Sequence, residues 1–179
     1  DMSLLVTSKK KLNELYSFIE SNYDKGRTDE LNVDKWFESS INESIKNTTD
    51  AMEKVLLKSS VQYGFLDMQR NLKWYLKRAD NKPNKKLINF FIETQIKLLT
   101  PITPHFCEEC WELIGKKTYV SNESWPKANV KAIKPEMNEG EELIVKTMSD
   151  IRQVLKLAKI EQPELISLFI SESWKYDLF

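Results

Sequence analysis

The chain has 179 residues, of which 41% are hydrophobic, 11% aromatic and 30% charged, an ordinary globular composition that excludes a disordered or fibrous chain. Its 27 basic residues balance 27 acidic ones, so an argument for a polyanionic partner has to be local. Four glycines, none in a GxGxxG or Walker-type arrangement, supply no glycine-lined phosphate cradle, and two cysteines are too few for a secreted disulfide framework. No apolar run approaches the roughly 20 residues that cross a bilayer, and the N-terminus lacks a basic-then-apolar leader. These features predict a cytoplasmic protein with no membrane partner.

The first predicted helix runs from Ser8 to Asn22, capped by Thr7 or Ser8, with Leu12, Leu15, Tyr16 and Ile19 on one side and Asp24-Lys25-Gly26 ending it. A second begins near Val33, repeats Trp36, Phe37, Ile41 and Ile45, and continues towards Met52 and Leu56 with a candidate break at Asp50. The third spans Lys58 to Ala79, its stripe formed by Val61, Phe65, Met68, Leu72 and Leu76 or Tyr75, with Gly64 as a weak point. After the turn Asn81-Lys82-Pro83-Asn84, Leu87, Ile88, Phe91, Ile92, Ile96 and Leu99 build a strongly apolar fourth helix.

Pro101 and Pro104 stop that helix, and Thr103-Pro104 starts a fifth, with Thr103 as N-cap, that ends near Gly115. Residues 116–139 lack helical periodicity and read as a long surface excursion. Helical spacing returns from Glu141 to Lys159, closed by Pro163. Leu165 to Ile170 reads as a short strand, and Ser173 to Phe179 as an amphipathic segment. The expected fold class is all-α, an antiparallel helix bundle over 1–160 with the beginning of an α+β domain over 161–179.

Cys107-Glu108-Glu109-Cys110 could supply two zinc thiolates or a dithiol, but a structural zinc wants four ligands and His105 is the one histidine. Cys107, Cys110, Trp111 and Ile114 follow i, i+3, i+4, i+7 spacing, which places both sulfurs on the core-facing stripe. Packing therefore accounts for the cysteines, and no metal site is expected. His105 has no legible nucleophile or orienting carboxylate beside it, so no catalytic residue is expected either. Glu108, Glu109 and Glu112 read as charges on the solvent side of their helix.

Between Gln69 and Lys86, Arg70, Lys73, Lys77, Arg78, Lys82, Lys85 and Lys86 face a single acid, Asp80. Arg70, Lys73 and Lys77 share one helical face, where phosphates could line up, with Trp74 or Tyr75 available for stacking if exposed. The alternative is an ordinary solvated face of a lysine-rich protein. The groups Lys9-Lys10-Lys11, Lys116-Lys117 and Lys127, Lys131 and Lys134 read as solubilising.

The segment from Leu98 through Pro101, Pro104, His105, Glu108, Glu109 and Trp111 to Glu112, followed by Trp125-Pro126, resembles the "LLxPxxPHxxEExWE … WP" pattern of the helical anticodon-binding domain of class I aminoacyl-tRNA synthetases. The pattern is shared by leucine, isoleucine, valine and methionine enzymes. Residues Asp67 to Arg78 and Ser171 to Phe179 are similar to the archaeal and eukaryotic leucyl type, and Asp34-Lys35-Trp36 resembles the start of that bundle. Cys107 and Cys110 stand where small or apolar residues are usual.

The resemblance implies a tRNA-docking domain of a leucyl-tRNA synthetase. ATP and magnesium would be held by a catalytic domain elsewhere, since neither the HIGH nor the KMSKS signature occurs here. It also implies leucine-accepting tRNA and the parent's catalytic and editing domains as partners, a fragment inactive by itself and without a cofactor, and contact through tRNA shape and phosphates. Candidate tRNA-binding residues are Arg70, Lys73, Lys77, Arg78, Lys85 and Lys86. A helical adaptor that binds proteins through an apolar groove is the alternative from another class.

Overall fold

The computed structural model describes residues 2–169. It contains α1 (Met2–Asn22), α2 (Asn32–Glu53), α3 (Leu57–Val61), α4 (Met68–Arg78), α5 (Lys85–Leu99), α6 (Pro104–Leu113) and α7 (Pro135–Ala158). A π-helical turn, Gln62–Asp67, joins α3 to α4, and short 3-10 turns occur at Val120–Asn122 and Val130–Ala132. Among the described residues there is no strand, and the fold is all-α. Among the described residues the segment 165–169 has no ladder partner and is not a strand, because a strand is defined by the backbone bonds a neighbour supplies. Ile170 and the segment from Ser173 lie outside the described residues.

The chain separates into two compact units, one up to Asn138 and one from Glu139 onward. In the first, α2 is the central helix. Val33, Trp36, Phe37, Ile41 and Ile45 are buried, and so are Ser39, Ser40, Asn42, Ser44 and Thr48, so α2 is covered on nearly every side. Phe37 stacks on Tyr75 at 4.2 Å between ring centroids and on Phe91 at 5.5 Å, tying α2 to α4 and α5. Leu15 and Ile19 of α1, Met68 and Leu72 of α4, Ile88, Ile92 and Ile96 of α5 and Trp111 of α6 complete the core.

Several boundaries differ from those the sequence suggests. Helix α1 begins at Met2, because no glycine or proline interrupts residues 2–8. Helix α2 runs through Asp50 and ends in a Schellman arrangement, where Leu56 N–H reaches Ala51 O at 2.8 Å and Val55 N–H reaches Met52 O at 3.0 Å. Val55 occupies the left-handed position (φ +56°) usually given to glycine, a strained place for a β-branched residue. Thr103 stands at the start of α6 without a capping bond; its hydroxyl lies 3.6 Å from the Cys107 sulfur. The excursion is helical again from Pro135, a proline in the first turn of α7. That helix ends at Ala158, with Lys159 left-handed (φ +56°), before Pro163 is reached.

Within the second unit, α7 buries no side chain. Ile144, Met148, Ile151 and Leu155 form a half-buried stripe, while Leu143, Val154 and Leu157 are exposed.

Candidate nucleic-acid interface

The end of the bundle that carries the basic residues is organised by three buried or nearly buried polar side chains. Asp34, in the first turn of α2, accepts from Arg27 Nη2 (2.5 Å), from the Tyr75 hydroxyl (2.6 Å) and from Leu31 N–H (2.7 Å). The Tyr75 hydroxyl in turn accepts from Asn84 N–H at 2.8 Å. Arg27 also donates from Nε to Lys82 O (2.8 Å), and its backbone exchanges bonds with Pro83 O and Lys85 N–H, each at 2.9 Å. Asn84 caps α5 by accepting from Leu87 N–H (3.2 Å) and donates to Asp29 O (2.9 Å).

This network fastens the α1–α2 loop to the α4–α5 turn. Gly26 (φ +125°) permits the approach, since a Cβ there would lie 2.4 Å from Pro83 O. Burial pushes the Asp34 carboxyl up, but the bonds from Arg27, Leu31 and Tyr75 outweigh it and hold the group below the usual aspartate range. Its bond to Asp34 raises Arg27 against the opposing effect of desolvation. Burial, together with the bond to Asp34, raises the Tyr75 phenol.

On this frame Arg70, Lys73 and Lys77 are exposed along α4, while Met68, Leu72 and Tyr75 are buried on its other side and Leu76 is half-buried. Arg70 Nη1 lies 3.1 Å from Asp67 Oδ1. Lys77 Nζ sits 5.6 Å from the Trp74 ring centroid, so that ring, which also packs against the core, is covered on one face. Tyr75 is fully buried and unavailable to a stacked base. Arg78 is exposed at the end of α4. Lys86 is exposed in the first turn of α5, whereas Lys85 is half-buried and held by Asp24 at 2.8 Å. The structure thus gathers Arg70, Lys73 and Lys77 on one face, Arg70 paired with Asp67, and Arg78 and Lys86 at the fastened turn, with Lys85 paired with Asp24.

The signature residues of α6 have structural work. Cys107 and Cys110 are fully buried; burial raises both thiols, Cys110 to about 12, the reverse of what a reactive thiolate requires. Among the described residues no group of three or more His, Cys, Asp or Glu could hold a metal ion. His105 is exposed, as are Glu109 and Glu112.

Glu108 behaves differently from the solvated charge its spacing suggests. Its carboxylate accepts from Val120 N–H (2.9 Å), Ser121 N–H (3.0 Å) and the Ser121 hydroxyl, anchoring the strap that follows α6. Those bonds, the Ser121 hydroxyl foremost, hold Glu108 below the usual glutamate range. Lys97 and Lys116 both approach the Trp111 ring, with Nζ atoms 5.2 and 5.3 Å from its centroid. Further along, Trp125 Nε1 donates to Thr49 (2.8 Å), Asn129 N–H to Asn42 Oδ1 (2.8 Å) and Lys134 N–H to Ser39 Oγ (2.8 Å). The buried polar stripe of α2 is the strap's hydrogen-bonding seat.

The first compact unit is thus an all-α bundle with a cationic helix face beside two loops that the Asp34 network ties together. The chain belongs to the family described as the anticodon-binding domain of tRNA ligase, whose model matches residues 34–168. Among curated relatives it is 34% identical over 166 residues to the leucine–tRNA ligase of Aeropyrum pernix, covering 92% of this chain and 17% of that protein. It is 36% identical over 176 residues to the leucine–tRNA ligase of Methanocaldococcus jannaschii, covering 96% of this chain and 18% of that one. The chain therefore spans under a fifth of the length of these relatives.

A solved structure of an Agrobacterium radiobacter K84 LeuRS, in a ternary complex with tRNA and LeuAMS, has the same fold, with a TM-score of 0.60 at 17% identity. The likeness covers 73% of this chain and 17% of that one. The family match removes support from the protein-binding adaptor reading. Among the described residues no helix is long and apolar enough to cross a membrane.

Proposed function

We propose that this chain is the tRNA-docking domain of a leucyl-tRNA synthetase that works in the cytoplasm. In that role it contributes to ATP-dependent leucylation carried out by a catalytic domain that holds ATP and magnesium, with an editing domain as a further partner. The observation that carries the reading is the exposed face of Arg70, Lys73 and Lys77 on α4, within a chain of the anticodon-binding family. Contact through this face is with phosphates, which position the nucleic acid without reading its bases. The burial of Tyr75 and the covering of Trp74 favour backbone contact over base stacking. Arg78 and Lys86 extend the contact to the fastened turn, and Lys85 contributes less because Asp24 already holds it.

The test is a titration of the folded chain against a leucine-accepting tRNA and an unrelated tRNA across a salt series. Steep loss of affinity with salt and a preference for the leucine tRNA are expected. The doubly substituted Arg70→Glu, Lys73→Glu protein should keep its helical spectrum and lose most of its affinity. Unchanged affinity in that variant would remove this face from the interface.

A further inference from the structure

The helix from Leu57 to Arg78 is continuous apart from its π-helical turn, and the turn sets which residues share a face. An α-helix advances about 100° per residue, so the 19 steps from Ser60 to Ala79 would leave these two residues roughly 100° apart. Both are nevertheless buried, with Met68, Leu72 and Tyr75 between them. A π-turn closes on the fifth residue rather than the fourth and so absorbs one residue; with that correction all five positions fall within about 40° of one direction. The turn keeps a single face of the long helix on the core.

It is held from two sides. Gln95 of α5, fully buried, donates from Nε2 towards Gly64 O and Phe65 O (3.4 and 3.5 Å) and accepts from Gln69 Nε2 at 2.6 Å. From α2, Thr48 packs so closely on Gly64 that a Cβ there would lie 3.1 Å from both its Oγ1 and its Cγ2.

The same arithmetic applies to the outer face. In an uninterrupted α-helix Lys58 would lie roughly 120° from Arg70 and 100° from Lys77, but with one residue absorbed it falls within about 20° of both, and about 40° from Lys73. Lys58 is exposed, and among the described residues neither it nor Lys73 has an ion-pair partner. We infer that Lys58 belongs to the RNA-contacting surface, as the far end of a cationic row with Arg70, Lys73 and Lys77 that runs roughly 28 Å along the helix. Gln95 is the positioning residue that keeps the row straight, and the ligand is the phosphate backbone of a tRNA. The inference rests on the docking function proposed above and extends its surface by about three helical turns beyond the segment richest in basic residues.

The experiment measures tRNA affinity of the folded 179-residue chain across a salt series for Lys58→Glu, Lys73→Glu and Lys117→Glu. Lys117 is an exposed lysine on the strap, so its substitution controls for net charge. Lys58→Glu and Lys73→Glu should each weaken binding roughly three- to ten-fold and lower the salt slope by about one, with Lys117→Glu within about two-fold of the parent. Gln95→Leu, checked for helical content, should lessen the effect of Lys58→Glu while leaving that of Lys73→Glu, because only the alignment across the turn is disturbed. A Lys58→Glu protein that behaves like Lys117→Glu while Lys73→Glu weakens binding would overturn the row and leave the docking function standing. A folded chain that binds no tRNA would overturn both.

Discussion

Replacing Asp34 by alanine removes the acceptor shared by Arg27, Tyr75 and Leu31 N–H. Arg27 is 13% exposed at its side chain and Asp34 7%, so water can do little to compensate the stranded guanidinium. Breaking a buried pair from one side costs about 3–5 kcal/mol. For a chain of this size each kcal/mol moves the melting temperature by about 2–4 °C, so a fall of roughly 6–20 °C is expected. Tyr75→Phe, which leaves Asn84 N–H without its acceptor, should cost about 1–3 kcal/mol, and the double variant less than the sum because the two share one bond.

The depressed Asp34 pKa adds a pH signature. Its stabilisation is complete above the unfolded value near about 3.9 and is lost as pH falls through the lower folded value. The Asp34→Asn protein should therefore lose less stability than the parent on acidification through that range. Urea unfolding followed by circular dichroism, repeated across pH, reads both effects. A loss under about 1 kcal/mol in Asp34→Ala, with no change in acid sensitivity, would refute the view that this network fastens the two loops.

Three further outcomes follow from local geometry. Among the described residues Thr48 Oγ1 is buried without a hydrogen-bond partner, so Thr48→Val should raise stability in urea by about 1 kcal/mol. Val55→Asn should likewise gain about 1 kcal/mol, because Val55 is 76% exposed and its left-handed backbone suits asparagine; a loss would mean that the Val55 side chain has contacts worth more than the strain. Glu108→Ala should speed hydrogen exchange at residues 118–124 and leave the α5 amides protected. In the parent that protection holds above the ordinary glutamate pKa near about 4.3 and is lost as pH falls through the lower folded value.

Regular helices were legible because apolar spacing dominates where one side packs against a neighbour, as with Ile88, Ile92 and Ile96 of α5. The core placement of Cys107 and Cys110 followed from the same spacing. Arg27, Asp34 and Tyr75 could not be paired in advance, because nothing local marks three residues far apart in sequence as mutual partners. The serines and Asn42 of α2 look like a solvent face by polarity alone; Ser39 and Asn42 are buried under the strap, which supplies a backbone donor to each, and Ser40 turns its hydroxyl back to Phe37 O. Gly64 was visible as a weakness of the third helix, but the extra residue absorbed beside it shows only when Ser60 and Ala79 are both found inside. The basic segment of α4 was readable from composition, while the addition of Lys58 depends on a phase shift that a regular helical wheel conceals.

The strap crosses α2 on three rungs, at Trp125, Asn129 and Lys134, each a single hydrogen bond to a particular α2 side chain. Apolar surfaces tolerate sliding, but these rungs do not: adding one residue between Trp125 and Lys134 would present a side chain where Asn42 or Ser39 expects an amide. The number of residues between the rungs is therefore fixed by the helix beneath them. Tolerance for added or lost residues should be concentrated around Lys117, between Lys116, which packs on Trp111, and the Glu108 anchor at Val120. An insertion scan across the strap would accordingly separate into a permissive start and an intolerant remainder.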